Sequence, residues 1–415
     1  MQACLSRLLA GLKSGGWLNR RRVLAYGGIL LAVELVTFGV LVAGTHGFLV
    51  KLARPTTTDF VSFYAAGKLA DAGTPALAYH QPEHYAAEER ATAPGIRYQF
   101  FYYPPIFLLL CAVLARLPYL VAFVAFEVLS LIAWVLVARR ILREPGWRVI
   151  GAILAFPAGL WTLGLGQNAF LTASLFGAAT LLIDRRPAAA GALFGALCFK
   201  PHIGILVPVA LAAGRHWRAF AAAAATVAAC LVLSLVQVGW QTWHDFLVAA
   251  AGMSTTYVSG RIDFAGFISP FGAVRLLGGG PLLAYGVQAA ATLAAAALVW
   301  SVWRRRLDLP VRAATLAAAT PVAVPVMLIY DLMIAAVALL WLVRAGRQSG
   351  FPPWAKTVLA GVFITPLLSR NIATTWHVPM APMAALALLA LAAFWAPRER
   401  RPRRATLSRV GAEHG

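Results

Sequence analysis

The chain has 415 residues, 60% of them hydrophobic and 12% charged, with a formal net charge of +21 at pH 7. A water-soluble fold cannot hide that much apolar surface, because the buried fraction rises only slowly with chain size; lipid must be part of the solvent. Cys4, Cys111, Cys198 and Cys230 are scattered, with neither metal-ligand nor disulfide-framework spacing.

Residues 1–22 are polar and basic and lead into an apolar stretch at 23–45 without a small-residue cleavage site, which reads as an uncleaved first span. Further apolar stretches lie at 119–138, 149–165, 168–184, 188–199, 202–213, 217–239, 281–303, 313–329, 331–343, 356–369 and 378–396. The alternating short strands of a membrane barrel are absent, so these are helices. The expected fold is all-α, a polytopic membrane bundle of about 12 transmembrane helices. Its parts are a basic N-terminus (1–22), one multi-span domain (23–396) and a basic tail (397–415). The stretches 188–199 and 202–213 fall short of the ~20 residues of a straight crossing and meet at Lys200-Pro201-His202. Another short piece, 104–117, reads as a helix that dips without crossing.

With 104–117 dipping and the N-terminus inside, "NRRR", "RRILREPGWR", "DRRP", "GRHWR", "RRRLDLPVR", "RAGR" and "RERRPRR" gather most of the Lys and Arg on one face. The positive-inside rule makes that face cytoplasmic, with both termini on it, and the expected location is an inner (plasma) membrane. The net charge is then an orientation signal rather than a footprint for nucleic acid, which is not expected as a partner.

The polar residues not explained as flanks collect on the opposite, outer face. In the outer loop 46–103, residues 59–72 ("DFVSFYAAGKLADA") have helical spacing, with Phe60, Phe63, Tyr64 and Gly67 on one face. Thr58 or Asp59 caps this helix, or Asp59 is a carboxylate held at the water–lipid boundary and aimed at a substrate; the two roles are compatible. Residues 82–93 form an amphipathic helix with Glu83, Glu88 and Glu89 as its solvated face. The aromatic "YQFFYYPP" (98–105) is an interfacial belt or the wall of a groove for a lipid chain or sugar ring. Tyr64 and Tyr103 are the substrate-contact candidates of this loop.

Lys200 lies between two half-length helices. A charge at such depth is costly and points to function, and an anionic phosphate would offset the ammonium's desolvation; the alternative is snorkelling to the surface. His202 either assists or marks a helix tip. Gln167 and Asn168, in "GLGQNAF", cap a tight turn or touch a substrate hydroxyl. Arg261 either pairs with Asp263 or supplies a second phosphate contact, for which a guanidinium is well shaped. Asp331 opens a span at its outer end and is a further substrate-contact candidate. Glu34 and Glu127 sit mid-span and are expected to face polar neighbours inside the bundle. No Walker loop, dinucleotide fingerprint, His/Cys cluster, Asp-x-Asp pair or serine nucleophile elbow is present in the sequence, and nothing in it calls for a cofactor or metal.

The ordered set "DFVSFYAAGKLADAGTPALAYH", "FYYPPIFLLL", "GLGQNAFLTASLFGAATLLIDRRP" and "AGALFGALCFKPHIGILVPVALAAGRHWRAF" resembles glycosyltransferase family 87, within the C-type membrane glycosyltransferases (GT-C). The resemblance covers roughly residues 55–240 well and the remainder by hydropathy. It implies a polyprenyl-phosphate sugar as donor, commonly mannose, and a lipid or glycan acceptor. Transfer would occur on the non-cytoplasmic face with inversion, and Asp59 matches the family's catalytic acid. The outer residues toward the C-terminus match no pattern that carries over.

The residue chemistry is compatible with that expectation. A single displacement needs one base for the acceptor hydroxyl, which Asp59 can be, and cations for the departing phosphate, for which Lys200, His202 and Arg261 stand ready. A retaining route would need a second close carboxylate, and Asp71 lies about three turns further along the helix. The rival readings are a lipid-linked-sugar transporter or flippase, which would show paired repeats with broken helices, and a polysaccharide ligase.

Overall fold

A computed structural model of the chain describes residues 2–43, 45–46, 49–50, 58–258, 262–305 and 307–396. The architecture is the expected all-α polytopic bundle; apart from a two-residue antiparallel pair, Thr45–His46 with Leu49–Val50, its regular elements are helices. The apolar stretches singled out above are largely helical, but length separates them. Among the described residues, six helices are long and apolar enough to cross a membrane alone: Arg20–Val40, Tyr119–Leu142, Trp217–Met253, Pro281–Arg304, Ile329–Ser349 and Ala355–Trp376. A seventh crossing is available if Arg148–Leu154 and Pro157–Leu165 act together; they bend by 64° where Pro157 cannot continue the preceding helix. Ala169–Leu182, Pro187–Phe199, Pro201–Ala213 and Met380–Trp395 are shorter apolar helices packed among the long ones. Pro105–Leu114, at ten residues, falls short of a straight crossing.

The centre and the rim are chemically distinct. In the Ile329–Ser349 segment 89% of the apolar window is buried by protein, against 11% in Arg20–Val40, so the first span faces lipid. The Leu309–Ala323 helix is buried from Pro310 onward. Its run of alanines (Ala313, Ala314, Ala317, Ala318) permits close helix approach, which is how packing replaces the hydrophobic effect inside a bilayer.

That helix ends at Ala323, and residues 324–328 are non-helical, extended at Val324 and Leu328, before the short Ile329–Leu332 turn. Non-helical backbone at this depth must have its polar groups met by protein, and it does. Gln288 Nε2 donates to Val322 O at 2.9 Å, Thr292 Oγ1 to Ala323 O at 2.8 Å and Ser269 Oγ to Pro325 O at 2.5 Å. The Ile268 amide donates to Met327 O at 3.0 Å. The break carries Tyr330 and Asp331 to the polar face.

The helix begun at Trp217 runs to Val258, kinked at Gly239, whose φ of 77° suits a residue without Cβ. Its second half packs against the segment that follows the Phe60–Asp71 helix, with Tyr79 and Phe246 ring centroids 5.6 Å apart. One expectation is corrected: Glu88 does not belong to a solvated face. It is fully buried with His84, while Glu83 is exposed.

Ion pairs sort the chain into two faces. Glu144 joins Arg20 at 3.2 Å and Arg347 at 2.9 Å, and Asp184 joins Arg312 at 2.6 Å. All of these lie in segments that the charge pattern assigns to the basic face. Asp71 pairs with Arg116 at 3.0 Å, His80 with Asp245 at 3.0 Å and Asp263 with Arg370 at 2.9 Å. These lie in segments assigned to the other face. Asp263 thus has Arg370 as a partner; Arg261, the partner considered from the sequence, lies outside the described residues.

Candidate functional site

Asp59 occupies the position before the Phe60–Asp71 helix, yet its side chain makes no capping bond. The backbone reason is local: its φ of −62° and ψ of −17° are already helical, whereas an effective cap sits in the extended region. Its amide donates to Leu165 O at 2.6 Å, which anchors it beside the turn at 166–168. The carboxylate accepts instead from Gln167 Nε2, at 2.8 Å.

That turn is made possible by Gly166. It closes the Pro157–Leu165 helix in the left-handed region at φ +68°, and a Cβ there would stand 2.7 Å from the Cβ of Phe60. Only glycine lets the two backbones come this close while directing Gln167 one way and Asn168 the other. Gln167 is fixed from its second side by Tyr103, whose hydroxyl donates to Oε1 at 3.3 Å. Burial and the charges of Asp331 and Asp59 push the Tyr103 hydroxyl's pKa well up, so it remains a donor, and it also faces the Asn168 side chain.

Asn168 begins the Ala169–Leu182 helix and, like Asp59, does not cap it with its side chain. Its Oδ1 accepts from Lys200 Nζ at 3.3 Å. Lys200 sits at the break between two 3-10 turns, Ala196–Phe199 and Pro201–Gly204, where φ of −136° and ψ of 67° leave the helical region. The following proline enforces that departure. Its ammonium donates to Asp331 Oδ1 at 2.5 Å and lies 5.2 Å from the centroid of the Tyr330 ring. Asp331 is held in turn by the Leu328 amide, which donates to Oδ2 at 3.2 Å. Lys200 and Asp331 are each about 4% exposed, so this is a buried ion pair and not a cation snorkelling to water.

Asp59, Gln167, Tyr103, Asn168, Lys200 and Asp331 therefore form one connected polar chain drawn from five separate stretches of sequence. His202 is half-buried and within electrostatic reach of Lys200 and Asp331. Tyr64 stands apart from the chain: its hydroxyl donates to Leu117 O at 2.9 Å, and its ring is buried among Phe60 and Tyr119.

The electrostatics favour a carboxyl that holds its proton more tightly than usual. Burial raises the pKa of Asp59, against the opposing effects of the Gln167 hydrogen bond and the charge of Arg97. The sequence points to no role for Arg97 and assigns Glu88 to a solvated face. Arg97 is an ordinary surface residue by pattern, and Glu88 was hidden by an amphipathic spacing that implied solvent. Glu88 has its pKa pushed up to about 8 by burial, and the charge of Asp59 adds to the rise. His84 Nδ1 lies 3.7 Å from Glu88 Oε1, its Nε2 is 3.1 Å from Ser62 O, and burial lowers its pKa to about 4. Among the described residues no three His, Cys, Asp or Glu side chains converge as a metal site.

Fold and site together describe an integral membrane protein that gathers acids, amides and a buried cation at one of its faces. A model of glycosyltransferase family 87 matches residues 101–330, more than half of the chain, and the protein belongs to that family of membrane glycosyltransferases. No curated protein and no solved structure matches it. Tyr103, Gln167, Asn168 and Lys200 fall inside the matched region. Asp59 lies upstream of it, and the bond to Gln167 joins the two.

Proposed function

We propose that the protein transfers a hexose, mannose by preference, from a polyprenyl-phosphate donor to a lipid or glycan acceptor, with inversion at the anomeric carbon. The supporting observation is the Asp59 carboxylate, released from capping and held by Gln167, a residue within the family-matched region. Asp59 takes the proton of the acceptor hydroxyl as that oxygen bonds to the anomeric carbon. The bond from that carbon to the phosphate oxygen breaks, and the phosphate departs with the electron pair. A base of raised pKa suits this proton removal.

Lys200 is the buried cation closest in the network to Asn168 and Asp331, and its role is to meet the phosphate's developing charge. Asp331 holds the ammonium between turnovers, so substrate phosphate competes with a carboxylate for it. Gln167, Asn168 and Tyr103 orient sugar hydroxyls, and His202 and Arg261 flank the phosphate. Tyr64 supports the loop from behind. The reading places the site on the outer face of an inner membrane, both termini being cytoplasmic.

The test is incubation of the purified protein with radiolabelled polyprenyl-phosphate sugars and a membrane lipid extract. New radiolabelled glycolipid is expected with one donor and none with Asp59→Asn. Substrate movement across liposomes without any sugar transfer would instead establish a transporter.

A further inference from the structure

On the basic side of the bundle, between the Arg20–Ala43 helix and the body of the protein, lies a cavity of about 810 Å³. Its walls are apolar: Tyr26, Leu30 and Val33 of the first span face Phe156, Leu340 and Phe363. From Arg20 to Val33 the lining follows about 20 Å of helix axis, the proportions of an extended hydrocarbon chain rather than of a compact ligand.

The mouth differs from the walls. Arg20, Arg347 and Lys356 stand there with one carboxylate, Glu144. Glu144 bridges both arginines, at 3.2 and 2.9 Å, so three cations share a single anion. Lys356 Nζ donates to Leu18 O at 3.1 Å and lies 5.3 Å from the Phe351 ring, neither of which neutralises its charge.

A second feature sets the depth of this mouth. The Gln2–Ser14 helix exposes Leu5, Leu8 and Leu9 as one stripe. It is tied to the bundle where the Trp354 amide donates to Lys13 O at 2.8 Å and Thr357 Oγ1 to Leu12 O at 2.7 Å. An exposed leucine stripe on a basic amphipathic helix rests at the lipid–water boundary. The adjoining mouth therefore opens at headgroup level.

We infer that this cavity binds an anionic glycerophospholipid from the basic-face leaflet, its phosphate among Arg20, Arg347 and Lys356 and one acyl chain between the first span and the bundle. Charge complementarity selects the headgroup, and the lipid-facing first span gives the chain its entry. A polyprenyl-phosphate donor does not fit, because its phosphate must reach the polar chain around Asp59, and no residue of that chain lines this cavity. The inference does not depend on the transferase reading.

The experiment is native mass spectrometry of the detergent-purified full chain, titrated with dioleoyl phosphatidylglycerol or dioleoyl phosphatidylcholine. The glycerol lipid is expected to bind on the order of tenfold more tightly, from two uncompensated cations. Arg20→Gln with Lys356→Gln should abolish the preference while retaining residual binding. Ala360→Trp, and separately the lipid-facing Val33→Trp, should weaken both lipids by filling the groove. Equal affinity for the two lipids in the wild-type chain would overturn the headgroup assignment, as would binding unaltered by both tryptophan variants. Displacement of phosphatidylglycerol by equimolar polyprenyl phosphate would assign the groove to the donor instead.

Discussion

Asp59 and Gln167, 108 positions apart, meet through a hydrogen bond of 2.8 Å that takes the place of a helix cap. The bond stabilises the ionised carboxyl, so it lowers a pKa that burial raises. Removing the carboxylate should cost what a general base supplies, about 10²- to 10⁴-fold in kcat. Asp59→Asn is expected to behave so, with unchanged elution in detergent. Retention of full transfer by this variant would exclude Asp59 as the base.

The pH profile follows from the same pair. Activity requires ionised Asp59, so it rises with pH along an acid limb displaced above the ordinary carboxylate value of 3.8. Gln167→Ala removes a group that favours ionisation and should move that limb to higher pH. Arg97→Gln should move it the same way, and because Arg97 is exposed the effect should shrink as salt is added. Profiles of kcat at low and high ionic strength separate the two variants.

Much of this arrangement could be read from the residues alone. The helical character, the two-sided charge distribution and the break at Lys200-Pro201 follow from apolar run lengths, basic flanks and proline stereochemistry. The pairing of Lys200 with Asp331 does not, since the two are 131 positions apart and nothing local to either announces a partner. The burial of Glu88 is invisible for a similar reason. Its helix has the spacing of a surface helix, and only the packing of His84 and Phe101 around it, with rings 6.0 Å apart, takes it out of water.

Lys200 and Asp331 form a pair whose separation exposes an uncompensated charge. Lys200→Met or Asp331→Leu alone should each destabilise by about 3–5 kcal/mol, and the double variant should recover much of that loss. Thermal unfolding of the three variants in detergent measures the coupling. Equal, additive losses would mean that the two groups are not paired in the protein.

The break after Ala323 rests on Gln288, which donates to Val322 O at 2.9 Å and accepts from the Phe271 amide at 3.1 Å. Gln288→Leu has similar volume but leaves both backbone groups without that partner. The expected loss is about 1–3 kcal/mol for each buried group left unmet. Because the break carries Tyr330 and Asp331, activity should fall with stability. Gln288→Glu, which can still accept from Phe271, should be the milder variant at acidic pH, where it is protonated and can also donate.

His84 and Glu88 make stability respond to pH in opposite senses. Glu88, raised to about 8 from 4.5, is favoured in its protonated form by the fold, so its contribution is complete below pH 4.5 and is lost as pH rises through 8. His84, lowered to about 4 from 6.5, is favoured neutral; its contribution is present above 6.5 and is lost as pH falls through 4. Near neutrality the fold favours both side chains uncharged, as suits a pair buried against the Ser62 carbonyl. Glu88→Gln removes only the alkaline loss, so its Tm relative to wild type should climb between pH 6 and pH 9. His84→Asn should instead gain relative to wild type between pH 6 and pH 4. Parallel Tm curves for wild type and Glu88→Gln would show that Glu88 is ionised in the folded protein.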